Sequence, residues 1–207
     1  MFKNSELQKN NLENLENLSY LLFDYEYFIC YGTLLGHTRD GKIISGDDDI
    51  DILINIKDKQ KALGSILKSE NFKINNKVSN DFCVQFINKN HKLKSFVDLY
   101  FYINKSDKDY IIEKQNFLAI PNNPEYEIHI PKKFIFPLKK STIFKNVNLP
   151  QNPIEICNFI YGDSWMKPIK KHSGYRMEIK NNKPLLIRRS KLGYLTRYIK
   201  NLFNNKF

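Results

Sequence analysis

Four carboxylates, Asp47, Asp48, Asp49 and Asp51, fall within the stretch Ser45-Gly-Asp-Asp-Asp-Ile-Asp-Ile-Leu-Ile54. From Ile50 to Ile56, apolar residues alternate with Asp51 and Asn55. This alternation predicts a strand, on which side chains two apart share a face. Asp49 and Asp51 should therefore project together, with Asp47 beside them. Like charges this close raise one another's pKa unless a cation lies between them. Hard oxygen ligands of this kind suit Mg2+ or Mn2+. A solvated acidic turn fits poorly, because Ile50 and Ile52 draw the acids onto a buried strand. A calcium loop also fits poorly: with Asp47, Asp49 and Asp51 at its first, third and fifth positions, Ile52 would stand where such a loop needs glycine.

Two neighbouring stretches can serve the same chemistry. Tyr27-Phe-Ile-Cys-Tyr31 reads as a short buried strand ending at Gly32. Gly32-Thr33, followed by Leu34-Leu35-Gly36, would let backbone N–H groups approach a phosphate at a helix N-terminus. Further on, Phe96–Ile103 reads as an apolar strand interrupted by Asp98, and a lone charge there is costly unless paired or metal-bound. A small-residue turn, a strand bearing Asp-apolar-Asp and a third carboxylate from a later strand match the layout of nucleotidyltransferase-fold enzymes.

The elements that must position these residues follow from periodicity. Leu7, Leu12, Leu15, Leu18, Leu21 and Leu22, mostly three or four apart, predict an amphipathic helix from Ser5 to Phe23, with Ser5 as its N-cap. Lys57–Glu70 reads as a second helix, and 72–74, 82–87 and 96–103 as further strands. All eight prolines lie beyond residue 120. Between them, Pro153–Tyr161 reads as a helix opened by proline and closed by Gly162, and Lys191–Phe203 as a last amphipathic helix. The fold class is α+β, one mixed sheet flanked by helices, with a Pro-rich, basic C-terminal helical extension. At 207 residues, a single domain over 1–207 is expected, with a core over about 10–172 and an extension over about 173–207.

The formal charge of +11 is unevenly placed. Residues 1–131 balance at −3, with 16 Lys/Arg against 19 Asp/Glu; residues 132–207 balance at +14, with 17 against 3. A polyanionic partner or an anionic membrane surface is therefore to be sought in the C-terminal third. Arg188, Arg189, Lys191, Arg197 and Lys200 flank the apolar face of the last helix, which suits peripheral contact with an anionic membrane. Cys30, Cys83 and Cys157 are odd in number and lack metal-ligand spacing, so they read as reduced thiols. No secretory signal or spanning apolar run is visible, and a cytoplasmic location is expected.

Gly32-Thr-Leu-Leu-Gly36, Arg39, Gly41 and Asp47-Asp-Asp-Ile-Asp51 together resemble the LicD/fukutin-related phosphotransferase family. Val97-Asp-Leu-Tyr100, Ile135-Phe-Pro-Leu138, Leu149-Pro-Gln-Asn-Pro153, Tyr161-Gly-Asp-Ser-Trp165 and Pro168 extend the resemblance in the family's order. It implies a nucleotidyltransferase fold that moves a phospho-alcohol, such as phosphocholine, from a CDP-linked donor to a glycan hydroxyl, with release of CMP. The glycan implied is of the lipopolysaccharide, capsule or teichoic-acid type. The resemblance and the strand geometry together make Asp49 and Asp51 the metal ligands, with Asp47 a third or outer ligand. Asp98 is either a further ligand or the base for the acceptor hydroxyl. Gly32, Thr33 and Gly36 would cradle the diphosphate, while Arg39 and Lys42 would balance the departing CMP. His37 is either an acid/base or a pocket wall. Tyr161 and Trp165 match family positions and could stack on a sugar or base; His172 could also reach the site. Residues 104–130, with Tyr110, Tyr126 and His129, are expected to form a substrate-specific insertion. Ser45-Gly46 replaces the aromatic that commonly precedes the aspartates, and His37-Thr38 replaces small or apolar residues; both departures bear on the donor head group.

Two rivals make different predictions. A nucleotidyltransferase that leaves the nucleotide on a small hydroxylated acceptor would release pyrophosphate instead of CMP. A basic nucleic-acid-binding protein using residues 132–207 would bind DNA or RNA in a salt-sensitive way. No RNA-binding aromatic signature is present, and the acidic site would repel phosphates without metal.

Overall fold

The computed structural model describes residues 2–115, 126–168 and 175–188. Helix α1 (Phe2–Leu21) leads into strand β1 (Tyr27–Ile29), helix α2 (Tyr31–Asp40) and strand β2 (Asp49–Asn55). A 3-10 turn and helix α3 (Lys59–Lys68) then cross to β3 (Phe72–Ile74), β4 (Cys83–Asn88) and β5 (Phe96–Ile103). Strands β6 (Tyr110–Gln115) and β7 (Tyr126–Pro131) continue the same sheet. Helix α4 (Lys132–Ile135), the short strands β8 (Lys139–Lys140) and β9 (Asn148–Leu149), helix α5 (Pro153–Tyr161) and the pair β10 (Tyr175–Lys180) and β11 (Lys183–Arg188) follow.

The main sheet runs β1-β2-β5-β4-β3, with β6 on β5 and β7 on β6. β2 and β5 are parallel, and the other described pairings are antiparallel. This is the mixed sheet flanked by helices that the sequence predicts. On β5, strand β4 takes residues 96–100 and β6 takes 102–103, while β2 lies along the other edge. Every residue of β2 from Ile50 to Asn55 is buried, because α1 and α2 both pack on this strand. Leu15, Leu18 and Leu22 join Ile50, Ile52, Ile54, Phe86 and Leu99 in the core. Most of the predicted apolar stripe of the first helix is thus turned to the core, whereas Leu12 is exposed. Burying several fully enclosed Leu and Ile side chains, at about 1.5–3 kcal/mol each, holds the acid-bearing strand in place.

Elsewhere the structure differs from the sequence reading in two places. Ser5 lies inside α1 rather than capping it, since the helix begins at Phe2. Tyr31 and Gly32, read as the end of a strand, instead open helix α2, which runs on through Gly36 to Asp40. Two glycines disfavour helix by roughly 1 kcal/mol each, yet packing against α5 and β2 overrides that preference. Gly41, at φ 64°, ends α2 in the left-handed conformation, a common helix stop. In the C-terminal extension, residues 175–188 form a hairpin that contacts α5 and β7. The helix expected over 191–203, the basic residues Arg189, Lys191, Arg197 and Lys200, and His172 lie outside the described residues, while Arg188 ends β11. Among the described residues, no helix is long and apolar enough to cross a membrane.

Candidate active site

The acids meet where β2 and β5 run side by side. Their register sets Asp51 opposite Asp98, and Asp49 shares the face of Asp51 by strand alternation. One carboxylate oxygen from each of Asp49, Asp51 and Asp98 lies within 4.8 Å of the others. Asp47 and Asp48, in the turn before β2, approach Asp49 equally closely. Asp51 is buried; Asp47, Asp49 and Asp98 are half-buried.

Helix α2 closes one side of the cluster. The Thr33 N–H donates to Asp51 Oδ2 at 3.3 Å, and the Asp51 N–H donates to Thr33 Oγ1 at 2.8 Å. A Cβ on Gly32 would stand 3.0 Å from Asp47 Oδ2 and 3.2 Å from Asp51 Oδ2. The missing side chain therefore lets the first turn of α2 approach both carboxylates, where the positive end of the helix favours negative charge. On the other side, Gln85 Nε2 donates to Asp98 Oδ1 at 2.8 Å. Tyr100 packs edge-on against Tyr31 at 5.2 Å, and the Tyr31 hydroxyl donates to the buried Glu113 at 2.6–2.7 Å.

These surroundings favour protonated acids when no cation is bound. Burial, then the charges of Asp49, Asp98 and Asp47, push the Asp51 carboxyl well above its ordinary range. Burial also raises Asp98, against the hydrogen bonds from Gln85 and Tyr100. Burial and the nearby carboxylates push the Cys30 and Cys83 thiols up, which makes both poor nucleophiles. Acids gathered so that they resist ionisation are what a positive ion would relieve. The hard oxygen donors of Asp49, Asp51 and Asp98 fit a divalent cation.

The other residues named from sequence are dispersed. Gly36 is packed rather than open: a Cβ there would lie 2.6 Å from the Lys42 carbonyl oxygen and 2.9 Å from Ile44 Cγ1. Lys42 is exposed. His37 Nε2 lies 3.0 Å from Ser141 Oγ, with the ring edge-on to Phe144. Burial and then the Lys139 charge lower its pKa. Arg39 lies about 10 Å along α2 from Gly32 and forms a two-pronged ion pair with Asp40 at 2.7 and 2.9 Å. Tyr161 is nearer the acids: burial first, then the charges of Asp51 and others including Asp47, raise its phenol. Trp165 is 8% exposed and its indole donates to Asn158 at 2.6 Å, so little of its ring is free for stacking. Tyr110 and His129 stack on each other at 4.2 Å, and Tyr126 opens β7. Gln85 escaped the sequence reading because only the β4–β5 register reveals that it faces Asp98.

A family model described as LicD/FKTN/FKRP, nucleotidyltransferase domain, matches residues 24–152. The chain belongs to this family. The match includes α2, β2, β5 and all the clustered aspartates, while Tyr161 and Trp165 fall beyond it. LicD membership makes a transferase of this protein in general terms. Comparison with curated proteins gives no match.

Proposed function

We propose that the protein is a metal-dependent phosphotransferase, moving a phospho-alcohol from a CDP-linked donor to a glycan hydroxyl and releasing CMP. The observation that carries this reading is the convergence of Asp49, Asp51 and Asp98 within 4.8 Å against the first turn of α2, in a LicD-family chain. Phosphocholine is the group assigned first. Asp49 and Asp51 would hold Mg2+ or Mn2+, with Asp47 as a third or outer ligand. When bound, the cation supplies positive charge against the donor diphosphate. Thr33 fixes the Asp51 carboxylate through its N–H, and Gln85 orients Asp98. Asp98 would serve either as a further ligand of the cation or as the base that accepts the proton of the acceptor hydroxyl. The hydroxyl oxygen bonds to the phosphorus that carries the alcohol, and the bond from that phosphorus to CMP breaks. The acceptor is a surface glycan or its lipid-linked precursor, met from the cytoplasmic side, with the basic C-terminal third touching anionic lipid.

The test is incubation with CDP-choline, CDP-ethanolamine, CDP-glycerol and CDP-ribitol, each with Mg2+ or Mn2+ and candidate glycan acceptors. CMP release coupled to a new phosphodiester on the glycan is expected. Release of the phospho-alcohol with CMP left on the acceptor, or pyrophosphate release from an added nucleoside triphosphate with its nucleotide left there, would overturn the proposal.

A further inference from the structure

Asn11 is fully buried in the interior of α1, although asparagine is a poor helix former. It occupies the stripe of Leu7, Leu15, Leu18 and Leu22, where an apolar residue would suit the core better. Its Oδ1 is buried without a hydrogen-bond partner among the described residues, which is unfavourable. Packing therefore does not account for an amide at this position.

Its two donors do. Asn11 Nδ2 donates to the carbonyl oxygens of Asp47 at 3.0 Å and Asp49 at 3.2 Å. A rotated amide would turn Oδ1 toward both carbonyls, so the orientation is fixed. The intervening carbonyl, that of Asp48, accepts from the Phe96 N–H at 2.8 Å. Three successive backbone oxygens of the acidic turn are thus held, two by α1 and one by β5. The same helix grips the start of β5: Asn14 Nδ2 donates to Ser95 Oγ at 2.9 Å, and Asn88 Nδ2 donates to Asn14 Oδ1 at 2.8 Å. α1 therefore ties together both strands that carry the acids, yet it precedes the family-matched segment, which begins at residue 24.

We propose that Asn11 is a positioning residue of the acidic site, fixing the backbone of Asp47 and Asp49 so that their carboxylates converge and bind a divalent cation tightly. The cation part rests on the functional reading above; the backbone clamp does not. The test compares Asn11→Leu with the wild type and with Leu15→Ala, a core change on the same helix. Asn11→Leu keeps an apolar side chain in the core and removes the orphaned oxygen, so the variant is expected to fold. Mn2+ binding is followed by electron paramagnetic resonance without donor, and amide exchange of Asp47 and Phe96 is followed without metal. Asn11→Leu should weaken Mn2+ binding on the order of tenfold, as loss of outer-shell support does. It should also speed exchange of the Asp47 and Phe96 amides relative to Leu99 at the centre of β5. Leu15→Ala should lower Tm and leave Mn2+ affinity within about twofold, because it touches none of the outer-shell contacts. Unchanged exchange of those two amides in Asn11→Leu overturns the clamp, and faster exchange with unchanged Mn2+ affinity overturns its link to binding. If the wild type itself binds no Mn2+, the cation reading fails while amide exchange still decides the clamp. If Asn11→Leu does not fold, Asn11→Ala is measured by the same two readouts.

Discussion

Replacing Asp51 with Asn should make the metal-free protein more stable while removing its response to metal. Asp51 is 6% exposed, with oxygens of Asp49 and Asp98 within 4.8 Å. Two unit charges at that separation repel by about 3 kcal/mol at an effective dielectric constant of about 20. Part of this is relieved in the wild type because the cluster takes up protons. A net gain of roughly 1–3 kcal/mol is therefore expected for Asp51→Asn at neutral pH, or about 2–12 °C in Tm for a chain of this size. The asparagine oxygen can still accept from Thr33 N–H, so the link to α2 survives. Because the folded pKa of Asp51 lies above its ordinary 3.8, the folded state binds more protons than the unfolded chain. Metal-free wild-type stability should then fall as pH rises from about 4 through the raised value. The advantage of Asp51→Asn should accordingly shrink as the pH is lowered toward 4. Saturating Mn2+, at about a hundred times its Kd, should stabilise the wild type by about 2.7 kcal/mol and leave the variant nearly unchanged. Thermal melts of both proteins in EDTA and in Mn2+, at neutral and acid pH, supply the eight needed numbers. A variant less stable than wild type in EDTA at neutral pH would refute the electrostatic reasoning.

Two further outcomes concern the frame. Gly36→Ala should destabilise the protein by about 1–3 kcal/mol in urea unfolding, as overpacking does, because its Cβ meets the Lys42 carbonyl at 2.6 Å; no loss would mean that the turn gives way freely. Burial raises the Glu26 carboxyl, but hydrogen bonds from Tyr102 and Asn55 and the Lys57 charge outweigh it and hold the group below 4.5. Its stabilisation is thus present above that value and lost as pH falls through the lower folded pKa. Tyr102→Phe, which removes the 2.6 Å bond to Glu26, should cost about 1–2 kcal/mol at neutral pH and flatten the acid limb of a stability–pH curve. An unchanged acid limb would contradict this.

Short-range rules alone make part of the site legible in the amino-acid order. A period of two along 49–55 placed Asp49 and Asp51 on one face, and the apolar run of 96–103 marked Asp98 as a charge needing a partner. The leucine spacing of the first helix and the Pro153–Gly162 bracket were equally local, and both elements are observed. Tertiary structure decided what depends on register and packing. Only the parallel pairing of β2 with β5 brings Asp51 opposite Asp98, which lies 47 positions further along the chain. Only packing on α5 and β2 turns a glycine-containing segment into α2, because burial outweighs local helix preference. The same holds for His37 and Trp165, chemically versatile side chains whose partners Ser141 and Asn158 are set by how the helices dock. Asn11 shows the division most clearly: its helix is legible in the leucine pattern, but its two acceptors lie 36 and 38 residues away. Periodicity reports which way a side chain points, while its partner is fixed by long-range pairing that no local pattern encodes.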